Sequence, residues 1–332
     1  MTREIGRKHS IALGIETTPG TAGAIDVWLP LEEAQFTPKT EVVTDESGFG
    51  TISAGVDGHV VKKWAEFKGK GVVRPTSFGY LLLLALGTAG SPSLVETGVY
   101  THAFTVKNDN THPTTTLIHD DATQEEQATY GMVDTLTISG EASDYLRFDG
   151  TIKSKSTANT TGNTPSFLST GDTPFLVSKV SVKFATDISG LSGASRVGVT
   201  SFNLNIEKNL TQIFQTSTDG TEALDFGSQH NQDLRVTGDF ELVYDSVTYR
   251  DLALAGTKQA VEIYVEGRTL IGATKYEALT IQLASVVLTE WDRSSNNDEI
   301  VKQTFGFTGL YKLSETKQLT ATLQNAKNTI YA

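Results

Sequence analysis

The chain has 332 residues, enough on the usual size prior for two domains that each bury a core. It has no Cys, which excludes a disulfide framework or a thiolate metal site and suits assembly in a reducing compartment. Its 39 acidic against 27 basic side chains give a formal charge of -12, which repels phosphates and argues against a nucleic-acid reader.

The opening "MTREIGRKHSIALGIETTPG" carries charges but no apolar run of signal-peptide length, and the longest apolar block, "YLLLLALG", is too short to span a bilayer. A soluble, unexported chain is expected. From Ile11, "IALGIETTPGTAGAIDVWLPLEEA" admits three readings: a nucleotide-binding loop, a catalytic corner around Glu16, or scaffolding. No Lys follows the glycines as a P-loop needs, and "GTAGAIDVW" runs into a strand where a dinucleotide fingerprint should open a helix. The same objection removes "GFGTISAG", so turn glycines are the simpler account.

Beyond a strand at Trp28 to Glu32, most segments alternate apolar residues with Thr, Ser, Lys or Glu, as in "DTLTISGEA", "SKVSVKFATDI", "TSFNLNIEKNL", "LRVTGDFELVY", "AVEIYVEGR" and "LTIQLASVVLTEW". Period two with β-branched and aromatic enrichment predicts half-buried antiparallel strands, hence a mainly β protein. Two stretches read as short helices. In "RPTSFGYLLLLALGT", Pro75 suits a start, Phe78, Leu81, Leu82 and Ala85 share a face, and Gly87 closes the end. In "DSVTYRDLALAGT", Asp245 or Ser246 supplies the cap and Gly256 the stop.

These stretches match each other. Aligned without a gap, the segments from Gly69 and from Gly238 share the first Gly, a mid-segment Ser, a Tyr, a Leu and the closing Gly-Thr. Each is preceded by a strand and a Gly/Asp/Ser-rich loop, "DESGFGTISAGVDGH" in the first case and "STDGTEALDFGSQHN" in the second. Shared order over most of both halves indicates tandem duplication. The predicted organisation is an N-terminal domain over 1–156, with an arm over 1–24, a Ser/Thr/Asn/Gly-rich linker with little to bury over 157–174, and a second domain over 175–332.

Candidate chemistry is sparse. His102, His112 and His119 with Asp109, Asp120 and Asp121 form a local cluster, but the spacing is not that of a zinc site, and "KNDNTHPTT" reads as a solvated hairpin tip. The neighbours Glu32 and Glu33, Asp120 and Asp121, and Glu125 and Glu126 cannot face each other across a cleft as a glycosidase requires, since adjacent strand residues point apart. Trp28, Trp64 and Trp291 read as core or subunit-contact fillers rather than a sugar platform. Neither a GxSxG elbow nor an HExxH helix occurs. No enzyme, cofactor or metal is expected.

The ordered run "GIETTPGTAGAIDVWLPLEEAQFTPKTEVVTDESGFG", "RPTSFGYLLLLALGT", "YTHAFTVKNDNTHPTTTLIHDD" and "YGMVDTLTISGEASDYLRFDGTIKS" resembles the tail tube (major tail) proteins of long, non-contractile-tailed bacteriophages. The resemblance covers most of Ile11 to Ser156, and the repeat extends it to the closing "FGFTGLYKLSETKQLTATLQNAK". It implies two tandem β-sandwich/barrel domains, each with a short helix, that contribute strands to a β-barrel shared between subunits. It implies a virion protein of the phage tail, assembled in the host cytoplasm into stacked rings around the tape measure protein and, later, the double-stranded genome. Tail terminator and distal tail proteins would be its neighbours, and no membrane is involved. By the same resemblance, Asp45, Glu46, Ser47, Gly48, Phe49, Gly50, Asp57 and Gly58 belong to a loop that contacts the next ring, and Thr18, Pro19, Gly20 and Thr21 to a corner of the N-terminal arm.

Geometry agrees with a shared barrel. At ~4.8 Å between strands and ~45° tilt, eight strands enclose a backbone barrel roughly 17 Å wide, whereas about twenty-four give roughly 50 Å, wide enough for a duplex. Three chains whose halves each give about four strands would complete it and imitate a hexamer, though a hexamer of single-domain subunits is the commoner arrangement. An acidic lumen without an array of Lys or Arg would let DNA slide. The alternatives are a β-sandwich glycan-binding adhesin, and another tail component such as a terminator or baseplate ring protein.

Overall fold

A computed structural model describes residues 6–121, 123–217, 223–294 and 300–332. Residues 1–5 of the expected arm and 218–222 of the second Gly/Asp-rich loop lie outside the described residues.

The two-residue alternation is what builds the architecture. Arg147–Ser154 buries Phe148, Gly150, Ile152 and Ser154 and turns Arg147, Asp149, Thr151 and Lys153 away from the core. Ser201–Glu207 does the same with Phe202, Leu204 and Ile206. Strands of this kind run edge to edge, all antiparallel, in the order Leu31–Asp45, Asp57–Val72, Arg147–Ser154, Glu125–Glu141, Ser201–Glu207, Arg235–Val243, Lys302–Gly309 and Tyr276–Arg293. The first four of this main sheet come from the N-terminal half and the last four from the C-terminal half. The halves join where Glu125–Glu141 meets Ser201–Glu207, with Glu141 opposite Ser201 and Thr135 opposite Glu207.

A second layer covers the apolar face. In the first half Ser10–Glu16 lies between Val27–Leu29 and Thr114–Asp120, and the latter passes to the start of Glu125–Glu141. In the second half Gln259–Leu270 and Leu319–Asn325 flank the start of Tyr276–Arg293. Val99–Val106 of the first half adds to Leu319–Asn325, so the halves interlock, and one hydrophobic cluster runs through both.

That pairing corrects the expected hairpin tip at "KNDNTHPTT". Val99–Val106 and Thr114–Asp120 belong to different parts of the layer, and the segment between them is a crossover. His102, His112 and His119 are accordingly buried rather than solvated. His102 Nε2 lies 2.9 Å from the Lys327 carbonyl and 3.2 Å from Asn325 Oδ1. His112 Nε2 donates to the Lys107 carbonyl at 2.9 Å, and burial, helped by the Lys208 charge, pushes its pKa down to about 4. Within residues 157–174, Ala158–Thr160 pairs with Gln127–Glu125 while staying largely exposed, and Asp172 is the residue that is buried.

Both expected helices form, α1 over Phe78–Leu86 and α2 over Thr248–Ala255, and both end at a left-handed glycine, Gly87 and Gly256. The gapless alignment that places Gly69 on Gly238 places these two caps on each other. Pro75 precedes α1 by a turn instead of opening it, and the start is capped from a distance: Asp172 Oδ1 accepts from Thr76 N at 2.7 Å and Ser77 N at 3.0 Å. Val247 holds the N-cap position of α2 without a side-chain bond, and of the two residues expected to cap it Ser246 contributes from one position earlier, its Oγ accepting from Thr248 N at 3.2 Å. The single apolar face expected for α1 is an underestimate, since all nine of its residues are buried. Tyr331 covers the far side, packed so closely on Gly79 that a Cβ there would lie 2.3 Å from its ring.

Candidate functional site

The outer part of the hairpin formed by Leu31–Asp45 and Asp57–Val72 projects past its neighbouring strand. Arg147–Ser154 pairs only with Ala65 to Val72, whereas the hairpin itself stays in register out to Asp45 opposite Asp57. Its loop carries all of the residues expected at the ring contact, Asp45, Glu46, Ser47, Gly48, Phe49, Gly50, Asp57 and Gly58, and every one is exposed. The turn is ordered locally. Asp45 Oδ1 accepts from Ser47 N at 2.9 Å and from Ser47 Oγ at 2.5 Å, and these bonds hold its carboxyl below the ordinary range. Val56 N closes on Asp45 O at 2.9 Å, and His59 Nε2 lies 3.1 Å from Asp57 Oδ2. Phe49, Ile52 and Val56 face solvent with nothing over them, Phe49 at 63% exposure.

The corner Thr18, Pro19, Gly20, Thr21 sits on a buried carboxylate. Glu16 accepts from Gly20 N at 2.7 Å, Thr114 Oγ1 at 2.7 Å, Tyr130 N at 2.8 Å and Thr116 Oγ1 at 3.0 Å. Four donors satisfy it completely, which leaves no lone pair for chemistry and makes it the peg of the corner. Gly20 has φ of +82°, and Thr21 N returns to Thr18 O at 3.0 Å. The Gly-rich approach to Trp28 is therefore scaffolding. The loop and the corner lie on different parts of the chain, over 45–58 and 18–21.

Sequence reasoning missed the two ends of the main sheet. Leu31–Asp45 pairs on one side only, and the last part of Tyr276–Arg293 pairs with Lys302–Gly309 alone, while its first part is flanked on both sides. One signal was present: Pro38, inside an alternating run, marks an edge strand.

The register also fixes the polar face, where basic side chains stand among acidic ones. Glu33, Glu66 and Asp149 share that face with Lys39, Lys68, Lys70 and Lys153. The charges are paired: Glu66 with Lys39, and with Lys68 at 3.7 Å; Lys70 with Glu33 at 3.5 Å and Asp149 at 3.7 Å; Lys153 with Asp134 at 2.7 Å. Burial raises the Glu66 pKa, but the Lys39 bond and the charges of Lys39, Lys68 and Lys153 outweigh it and leave it lowered. In the second half the face is built of Thr237, Asp239, Glu241, Asn203 and Asn205, with Lys302 on Glu241 at 2.8 Å.

Among the described residues no group of three or more His, Asp or Glu could hold a metal ion, and no helix is long and apolar enough to cross a membrane. Trp28 is buried, and Trp64 and Trp291 are partly buried, so no Trp forms an exposed platform. Two ionisable side chains deep in the core escaped notice in the sequence. Lys208 donates to the Leu84 carbonyl near the end of α1, and burial pulls its pKa down to about 7. Glu277 has neither oxygen bonded, and burial together with the Asp172 charge pushes it up to about 7.

A mainly β chain, with its best-satisfied carboxylate serving a backbone corner and its open strands at the sheet ends, has the anatomy of a structural subunit. The family model for the phage tail tube protein matches residues 6–310, and the chain belongs to that family. It is thus a structural component of the bacteriophage tail. A comparison with curated proteins finds no match.

Proposed function

We propose that this chain is a two-domain tail tube subunit, three copies of which close into a ring whose stacked repeats conduct the phage genome. The supporting observation is the junction inside one chain, where Glu125–Glu141 pairs with Ser201–Glu207. The repeat makes Tyr276–Arg293 the counterpart of the first strand and Leu31–Asp45 the counterpart of the second. Those are the two strands left open at the sheet ends. A subunit that already joins two halves through this contact has the means to join the next chain the same way, and closure removes the exposed edges.

The register follows by equivalence. Gly69 lies opposite Ala34 and Gly238 opposite Leu204, so Ala34 corresponds to Leu204. Gly71, Phe148 and Ile138 form a row matched by Phe240, Phe305 and Trp291, so Ile138 corresponds to Trp291. Leu204 pairs with Ile138, which places Ala34 of the next chain opposite Trp291 and Glu33 opposite Asp292. Lys70, 3.5 Å from Glu33, offsets the like charge. Pro38 falls one position beyond the counterpart of Glu207, where the pairing would end. The polar face then lines the lumen, where its cations are already engaged by carboxylates and hold DNA weakly. The tape measure protein would occupy the same lumen before the genome, and terminator and distal tail proteins would cap the tube.

The chain has no Cys, so Glu33→Cys with Asp292→Cys gives a clean test. Residues opposite each other on antiparallel strands are within disulfide range. Oxidation should produce covalent trimers, and electron microscopy should show a hollow tube of stacked rings with threefold or pseudo-sixfold symmetry. A protein that stays monomeric when concentrated or seeded, with no interchain disulfide, would refute the reading.

A further inference from the structure

The base of the projecting hairpin carries a surface that fits its own tip. Where Leu31–Asp45 begins and Asp57–Val72 ends, a groove of about 550 Å³ is lined by apolar Leu29, Leu31 and Phe167 and by cationic Arg7, Lys8 and Arg74. Arg7 and Lys8 make no ion pair among the described residues. Glu32, which also lines the groove, is engaged by Arg147. The tip has the opposite character, with Asp45, Glu46 and Asp57 around exposed Phe49, Ile52 and Val56. Uncovered apolar side chains rimmed by charge mark a contact surface.

Tip and groove lie at opposite ends of one ribbon. Its register runs from Leu31 opposite Gly71 to Asp45 opposite Asp57, roughly 45 Å at ~3.3 Å per residue. Sliding one copy along the ribbon axis by that length sets the acidic, apolar tip of one chain over the basic, apolar groove of the next. Such a contact joins two different surfaces and leaves a free tip and a free groove after every addition, so it propagates without closing.

We infer that the Arg7–Arg74–Phe167 groove receives the Asp45–Gly58 loop of a chain in the adjacent ring, a deeper assignment that rests on the stacked-ring reading. Phe49 fills the apolar floor beside Phe167, and Asp45 and Glu46 meet Arg7 and Lys8. The rim charges then set which faces of two rings attract, so rings add in one polarity.

Full-length chain carrying Phe49→Cys and Phe167→Cys should form disulfides between rings, and the Arg7→Glu/Lys8→Glu variant should raise the critical concentration for tubes by about tenfold or more. Adding Asp45→Lys and Glu46→Lys to that variant should restore tubes. Throughout, the Glu33→Cys/Asp292→Cys crosslink reports the ring separately. Rings that crosslink normally but give no Phe49–Phe167 disulfide, or tubes unaffected by the charge reversal, would overturn the groove assignment. Loss of the in-ring crosslink in the otherwise unaltered chain would count against the ring itself.

Discussion

The two halves of the chain share topology down to the capping glycines, yet they treat corresponding parts differently. All nine residues of α1 are buried, whereas α2 has none fully buried, and its Leu254 is 79% exposed. The first-half hairpin runs out free to its loop. In the second half the connection between Ser201–Glu207 and Arg235–Val243 turns back as a small separate hairpin and packs on the first, through Lys63 N to Leu224 O at 2.9 Å and Ser156 N to Asp225 Oδ1 at 2.9 Å. The halves correspond in strand order and in helix ends, and the difference lies in what covers each. The first half has its helix sealed and its arm free, while the second has its helix open and its arm tied down. The tied arm braces the free one partway along Asp57–Val72, at Lys63.

The largest contrast should appear at the seal on α1. The Tyr331 ring packs edge-on against Tyr80 and His102 at 4.9 Å, and its hydroxyl donates to the Thr76 carbonyl at 3.0 Å and accepts from Asn325 Nδ2 at 2.8 Å. Tyr331→Ala should cost ~3–5 kcal/mol, the range for a fully buried aromatic. Tyr249 of α2 stacks on Phe305 at 5.0 Å but is only half-buried, and Tyr249→Ala should cost about half as much. Chemical denaturation of the two variants measures both. Equal losses would mean that the tail seals nothing the second half lacks.

A pH dependence should come next. Glu277 begins Tyr276–Arg293 buried and unbonded, whereas Glu125, which begins the corresponding strand, accepts from Asn163 Nδ2 at 2.8 Å. Because the folded pKa of Glu277 is raised to about 7 from 4.5, the native state keeps a proton that the unfolded chain has lost. Stability from this group is fully present below pH 4.5 and falls as pH rises through about 7. The loss is on the order of 3 kcal/mol. Thermal melts of Glu277→Gln should lack that slope, and a parallel slope in the variant would assign it to another group.

Much of this was legible in the sequence because the signals were local. Alternation gave the strands, and Gly87 and Gly256 gave both helix ends. The loop residues Asp45 to Gly58 are where the sequence placed a loop. What it hid depended on distant partners. His102 and His112 read as solvated because their neighbours are polar, but His102 is held against Leu319–Asn325 and the charge acting on buried His112 is that of Lys208, more than ninety residues away in either case. The paired charges of the polar face were invisible to a count of net charge, because Glu66 meets Lys39 only through strand register. Asp172, in a stretch expected to bury little, caps a helix that begins far before it in the chain.

That cap gives the finest test of the contrast. Asp172 is buried and serves two N–H groups of the turn before α1, and no other side chain caps that helix. Ser246, exposed, serves one N–H of α2 at 3.2 Å, where water can replace it. Asp172→Ala should therefore cost ~1–2 kcal/mol and Ser246→Ala ~0.5 kcal/mol or less. Asp172→Asn separates geometry from charge. Its Oδ1 keeps the two acceptor bonds, so little stability is lost at low pH, but the charge that helps raise Glu277 is gone. The melting slope of this variant should move to lower pH while its helix stays capped. If Asp172→Asn instead lost as much as Asp172→Ala with the slope unmoved, the carboxylate would act through its charge on the helix end rather than as an acceptor, and the two helices would differ in electrostatics rather than in capping.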